Sequence, residues 1–180
     1  MTQIAVFAGS LRAGSLNHSL ATNLEALAPE GTTFNYVDIG VLPLFNQDLE
    51  SDYPASARAI KDIVEAADGV LFVTPEYNRS IPGVLKNAID WASRPWGTNS
   101  FNGKPAGIVG ASGGALGTGP AQAHLRSILV YLGTKLMGQP EIYLAHAGSL
   151  FDDKGIIIDE SKELLKAYID AFVAHVGSTK

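Results

Sequence analysis

Three glycine-bearing segments hold most of the side chains able to bind or react. The first, Gly9-Ser10-Leu11-Arg12-Ala13-Gly14-Ser15-Leu16-Asn17, places two serine hydroxyls, an amide and a guanidinium between an apolar run and a helical pattern. A helix start offers unpaired N–H groups and a partial positive charge. Ser15 near the cap and Arg12 as a charged fork therefore make an anion site, with phosphate as its natural guest. A plain strand-to-helix turn with a capping serine would have no need of the arginine. Gly9 and Gly14 have the separation of a Walker loop, but Ser15 stands where its lysine belongs, and G-x-G-x-x-G spacing is missing as well.

The second segment, Thr74-Pro75-Glu76-Tyr77-Asn78 with Arg79-Ser80 beyond, follows a core strand. Proline, carboxylate, aromatic and amide in sequence form a rigid polar ledge that can offer N–H groups to a heteroaromatic edge and a wall to its face. Glu76 as a general base, with Tyr77 a covered surface aromatic, is the alternative. The third segment, Gly110-Ala111-Ser112-Gly113-Gly114, matches the G-x-S-x-G elbow of serine hydrolases, with His124, His146 and His175 downstream. No H-G-G-G segment accompanies it, and the first two loops would then be idle. Glycines that let the backbone approach a flat ligand, with the Ser112 hydroxyl as donor, are the competing reading.

Composition narrows the chemistry. In 180 residues there is no cysteine, so thiol nucleophiles, disulfides, iron–sulfur ligation and thiolate zinc sites are excluded. The four histidines (18, 124, 146 and 175) lie too far apart for a helical ligand pair. A net charge of −5 speaks against a nucleic-acid partner, and no apolar run approaches the roughly 20 residues of a membrane span. With 46% hydrophobic residues and mean hydropathy +0.12, the expectation is one compact domain over 1–180. The start, MTQIAVFAGS, reads as a strand and not a signal peptide, which makes the cytoplasm the default and leaves the sequons at Asn17 and Asn78 free for other roles.

The elements that must position these loops alternate along the chain. Apolar, β-branched runs predict strands at 4–8, 34–39, 69–74, 106–111 and 141–144. Helical spacing predicts helices at 16–27, 55–67, from Pro82 through Trp91, 121–132 and 160–176. Strands apolar on both faces and alternating with helices make a parallel sheet covered on both sides. Ligands of such sheets bind beyond the carboxyl ends of the strands, where the three segments fall.

Together, the GSLRAGSLN loop, the PEYN ledge continuing as NRSIPGVLKNAIDW, and the looser SGGALG loop resemble those of NAD(P)H-dependent FMN reductases, the flavodoxin-like branch that includes quinone, azo-compound and chromate reductases. The resemblance runs along most of the chain and is weakest after Leu150. It implies an α/β, flavodoxin-like three-layer sandwich with a five-stranded parallel sheet of order 2-1-3-4-5 and noncovalent FMN. The phosphate would lie on Ser10, Leu11, Arg12, Ser15, Leu16 and Asn17. The ring would lie against Pro75, Glu76, Tyr77 and Asn78, with Ser112, Gly113 and Gly114 at its other edge. It also implies homodimers or homotetramers in which a neighbour finishes the pocket, through Trp96 in the 94–101 loop or through Arg126 and Glu141 meeting a neighbour's Tyr77.

The expected function is therefore hydride passage from NADPH or NADH through FMN to small-molecule acceptors such as quinones, flavin, azo compounds or chromate, in a ping-pong sequence. No side chain need act as acid or base, since the flavin carries the chemistry. The rivals are a flavodoxin-like electron carrier, a dehydrogenase using Asp38 on a ribose hydroxyl, and a hydrolase at Ser112.

Overall fold

A computed structural model describes residues 1–179, without the side chains of 159 and 160; Lys180, the last residue of the expected domain, lies outside the described residues. Strands β1 (Thr2–Ala8), β2 (Thr32–Tyr36), β3 (Gly69–Val73) and β4 (Pro105–Ala111) are all parallel in the order β2-β1-β3-β4. Two short strands, β5 (Lys135–Leu136) and β6 (Tyr143–Leu144), then pair in parallel with the start and the end of β4. The order 2-1-3-4-5 is thus the one the resemblance implies.

Helices α1 (Leu16–Leu27) and α5 (Asp159–Ser178) cover one face, and α2 (Ala55–Ala66), α3 (Gly83–Ala92) and α4 (Gly119–Tyr131) cover the other. Every residue of β3 and β4 is buried, as continuous apolar strands between two helical layers must be. Alternate residues divide between two cores: Val6, Leu71 and Val109 meet α1 and α5, while Phe7, Phe72 and Ile108 meet the other three helices.

Two sequence expectations need correction. The fifth strand position is not the single run 141–144 but two pieces, because Gly138-Gln139-Pro140 interrupts it and proline has no N–H to add to a ladder. Strand 2 ends at Tyr36 and not Ile39: the Asp38 carboxylate accepts from Gly40 N at 3.0 Å and turns residues 39–41 into a short 3-10 helix.

The loop between α3 and β4 is held from inside. Lys61 of α2 is almost wholly buried and donates to Ala92 O at 3.2 Å and to Thr98 O, so its ammonium sits at the carbonyl end of α3 and fixes the loop that carries Trp96. Lys104 does the same for α2, donating to Glu65 O and Ala67 O at 2.8 and 2.6 Å. Burial holds the pKa of both amines below the usual lysine value.

Close packing at the carboxyl end of the sheet sets a test. A Cβ on Gly110 would collide with the Thr118 hydroxyl and the Thr74 carbonyl, whereas one on Gly83 would touch nothing within 4 Å. Gly110→Ala should cost about 1–3 kcal/mol, seen as a fall in Tm of roughly 2–10 °C in thermal denaturation. Gly83→Ala should leave Tm unchanged or slightly raised.

Candidate functional site

The chain leaves β1 at Gly9, whose N–H still bonds Val73 O of β3 at 2.8 Å. A Cβ there would press on Pro75 Cδ at 3.1 Å and Leu85 Cδ2 at 3.2 Å, so glycine lets the first two loops meet. Ser15 then caps α1, its hydroxyl accepting from Asn17 N at 3.2 Å and His18 N at 3.4 Å. The Ser10 hydroxyl accepts from Arg12 N at 3.3 Å, and His18 Nε2 donates to Ser10 O at 2.8 Å. The Arg12 guanidinium is exposed and makes no ion pair among the described residues. Helix start, two hydroxyls and a free guanidinium share one small region, which is chemistry suited to an anion.

Asn17 behaves differently from its neighbours. Its buried amide donates to Ala111 O at 2.9 Å and accepts from Ala111 N at 2.9 Å, a two-bond bridge from the start of α1 to the end of β4. The side chain expected on a phosphate is therefore engaged with the protein itself.

In the second loop, Glu76 reaches α4. Its side chain is only 10% exposed, and Oε2 accepts from Ala121 N, in the first helical turn, at 3.2 Å. A carboxylate at a helix N-terminus is favourably placed as an anion, and this accounts for Glu76 without any proton transfer. Tyr77 and Ser80 exchange backbone hydrogen bonds of 3.0 Å each around Asn78 (φ 51°) and Arg79 (φ 66°), a two-residue turn of the primed type. The Tyr77 ring is half exposed, and His124 Nδ1 shares a hydrogen bond of 3.1 Å with the Ser80 hydroxyl, a second tie between this loop and α4.

The third loop is held by its backbone. Ser112 N donates to Leu144 O and Ala147 N to Ser112 O, each at 2.9 Å, while His146 N donates to Gly114 O at 3.1 Å. The Ser112 hydroxyl accepts from Gly114 N at 3.1 Å. The rings of His18, His124 and His175 bond to Ser10 O, Ser80 and Lys135 O, so none of them serves Ser112 as a base, against the hydrolase reading. Asp38 is likewise spent on Gly40 N, against the dehydrogenase reading.

The three loops enclose a pocket of about 210 Å³. Every predicted site residue lines it except Leu11, Asn78 and Gly114. Leu11 turns outward against residue 40, Asn78 sits at the tip of its turn, and Gly114 faces His146. Ala111 is an addition that an apolar strand end gave no signal for. A Cβ on Gly113 would meet nothing within 4 Å, so the floor opposite the first two loops is open backbone.

A larger cavity, about 810 Å³, lies elsewhere, between the outer faces of α3 and α4 and the loop before β4. Trp96 and Tyr131 on its rim are 78% and 75% exposed. That loop leads into the first residue of β4, so within one chain Trp96 lies at the end of the sheet opposite the three loops. Arg126 and Glu141 form an ion pair of 2.9 Å with each other in the same chain. Lys86 pairs with Asp90 on the surface of α3 at 2.8 Å, as an ordinary solvated helix residue does.

Comparison with known proteins agrees with this architecture. The family described as NADPH-dependent FMN reductase matches residues 2–149. A 2-hydroxy-1,4-benzoquinone reductase of a Burkholderia species is 53% identical over 175 residues, covering 97% of this chain and 96% of that protein. A quinone reductase of Pseudomonas putida is 45% identical over 174 residues, 96% of this chain and 94% of its own. Among solved structures, the flavoenzyme NAD(P)H:(acceptor) oxidoreductase FerB of Paracoccus denitrificans superposes with a TM-score of 0.94 at 44% identity, covering 99% of both chains.

The Asn17 bridge makes a prediction of its own. Asn17→Ala should leave both buried Ala111 groups without partners and cost about 1–3 kcal/mol, measurable as a lower urea midpoint. An unchanged midpoint would show the bridge to be dispensable.

Proposed function

We propose a function from the premise that this chain belongs to the NADPH-dependent FMN reductase family: it holds FMN in the three-loop pocket and oxidises NADPH or NADH at the expense of quinones and similar small acceptors. The observation that carries the assignment is the cradle at the start of α1, where Ser10, Ser15 and the unpaired Arg12 converge beside an aromatic hairpin and an open glycine floor. When bound, FMN would supply the redox chemistry that links oxidation of the nicotinamide to reduction of the acceptor.

The chain's own residues bind and orient. The Ser10 and Ser15 hydroxyls, the Leu16 amide that the Ser15 cap leaves over, and the Arg12 fork would hold the phosphate. Pro75, Glu76 and Tyr77 provide a wall whose position is fixed by α4 through Ala121 N and His124. Ser112 and Gly113 border the opposite edge. Asn17 serves by holding the first loop to the third, and Leu11 and Leu16 contribute backbone more than side chain. No general acid or base is required of Glu76, whose carboxylate is occupied.

The pocket of about 210 Å³ is below the roughly 300–1,000 Å³ of sites that bury a ligand, so FMN held there would not be fully enclosed by this chain. An open face suits two substrates taking turns. It also supports a homodimer or homotetramer in which a neighbour's Trp96 loop covers part of the ring, using the groove between α3 and α4, with its exposed Trp96 and Tyr131, as the contact. The single unit 1–180, placed in the cytoplasm where reduced nicotinamide is plentiful, is the form in which we expect this to operate; among the described residues no helix is long and apolar enough to cross a membrane.

Three measurements test the reading. The purified protein should be yellow or take up FMN, NAD(P)H should bleach it anaerobically, and quinone should restore the colour; a flavin that is bleached only slowly would mark an electron carrier instead. Arg12→Ala should weaken FMN retention by about tenfold or more while altering turnover of the loaded fraction far less, and full retention would refute the phosphate assignment. Trp96→Glu should move the protein to a smaller species in size-exclusion chromatography and loosen FMN; an unshifted elution would reject the proposed contact.

A further inference from the structure

Arg12 lines the pocket, and a second guanidinium, that of Arg79, lies just outside the lining, 3.6 Å from the carboxylate of the wall residue Glu76; only Arg12 has a role so far. Arg79 is the second central residue of the turn between Tyr77 and Ser80. Its φ of 66° is a left-handed backbone that glycine takes freely and an arginine does not. Such conformations persist where the surroundings over-determine them, and they gather at ligand clamps. Here the reciprocal 3.0 Å hydrogen bonds and the His124 contact to Ser80 keep the turn closed. Backbone geometry gives no reason for an arginine at 79, so the reason lies in its side chain.

That side chain is 69% exposed, and its one ion contact, to Glu76 Oε1, is 3.6 Å, beyond hydrogen-bond length. Glu76 already gives its other oxygen to Ala121 N. Other arginines are held closely: Arg58 on Glu65 at 2.7 Å, Arg94 on Glu50 at 2.7 Å and Arg126 on Glu141 at 2.9 Å. Arg79 thus keeps its fork of donors available beside the wall made by Glu76 and Tyr77, in the second loop and not the one that carries Arg12.

We propose that Arg79 takes a phosphate group of the reduced nicotinamide dinucleotide, an inference that rests on the FMN reading above. FMN brings one phosphate, and the start of α1 is furnished for one. The hydride donor brings a pyrophosphate and, in NADPH, a 2′-phosphate as well. A planar guanidinium binds such groups through paired hydrogen bonds. In a chain of net charge −5, an exposed cation at the rim also offsets the general repulsion that a polyanionic donor meets.

The test uses FMN-loaded protein and equilibrium titration with NADP+ and NAD+, for the parent, Arg79→Gly and Arg79→Lys. Arg79→Gly should raise Kd by about tenfold or more, with a shallower salt dependence, and Arg79→Lys should recover part of the loss. FMN content should be retained, and Tm should hold or rise because glycine accepts the left-handed backbone. A loss confined to NADP+ assigns Arg79 to the 2′-phosphate, and an equal loss for NAD+ assigns it to the pyrophosphate. An Arg79→Gly protein that keeps FMN and binds both nucleotides as the parent does overturns the inference while leaving the flavin reading intact. A parent protein that takes up no FMN overturns the flavin reading itself.

Discussion

The amide of Asn17 joins two segments that the sheet does not put side by side. β1 and β4 are separated by β3, and the parallel ladder runs out at their carboxyl ends, where Gly9 N still bonds Val73 O and Thr74 N still bonds Val109 O. Two residues beyond Val109, the backbone N–H and C=O of Ala111 find no partner in β3, although β6 pairs with this end of β4 on the other side. Asn17 presents one donor and one acceptor in the geometry of a peptide group and satisfies both, each at 2.9 Å. The net worth of two such bonds is modest, about 1 kcal/mol each, but leaving two buried polar groups unpaired costs more. The start of α1 is thereby fixed over the point where the strand order reverses, which is where an open parallel sheet can hold a ligand.

The two other loops are tied to that frame by charge and by space. Glu76 lends its carboxylate to the N-terminus of α4, and the helix lends position to the Pro75–Tyr77 wall in return. Gly110 allows β4 to lie against Thr118 and Thr74 where any Cβ would collide, so α4 begins close under the second loop. One helix start is thus filled by the protein's own anion, and the other, at α1, is served only by neutral hydroxyls with a cation nearby. That difference leaves the start of α1, and not that of α4, with positive charge to offer an anion from outside the chain.

Much of this is legible in the sequence because the signals are local. The runs at 4–8, 69–73 and 106–111 are apolar on both faces, and α1 begins and ends where Ser15 and Pro29 require. The convergence of the first two loops also follows, since adjacent parallel strands must end together. What is illegible is long-range pairing. The turn of Asp38 onto Gly40 is a local signal, masked by the apolar Val37 and Ile39 on either side of it, but nothing local says that Asn17 reaches residue 111 or that Glu76 reaches residue 121. The split of the fifth strand position is of the same kind: Ile142 and Leu144 carry the apolar signal, but β4 has room for two short partners because its start and end face different segments.

The smallness of the pocket, finally, is not at odds with a large cofactor. Deep sites exclude water around reacting side chains, and here no side chain needs such protection, since Glu76 is committed to α4 and the Ser112 hydroxyl to Gly114 N. A bound ring that brings its own reactivity needs an anchored tail, one firm edge and one free face. In the proposed site the first requirement would fall to the start of α1, the second to the hairpin that α4 holds, and the third to the opening that so shallow a pocket leaves. The apolar surface that a single chain leaves uncovered, around Trp96 and Tyr131, lies away from this face in its own chain. The second copy proposed above would both bury that surface and limit what reaches the ring.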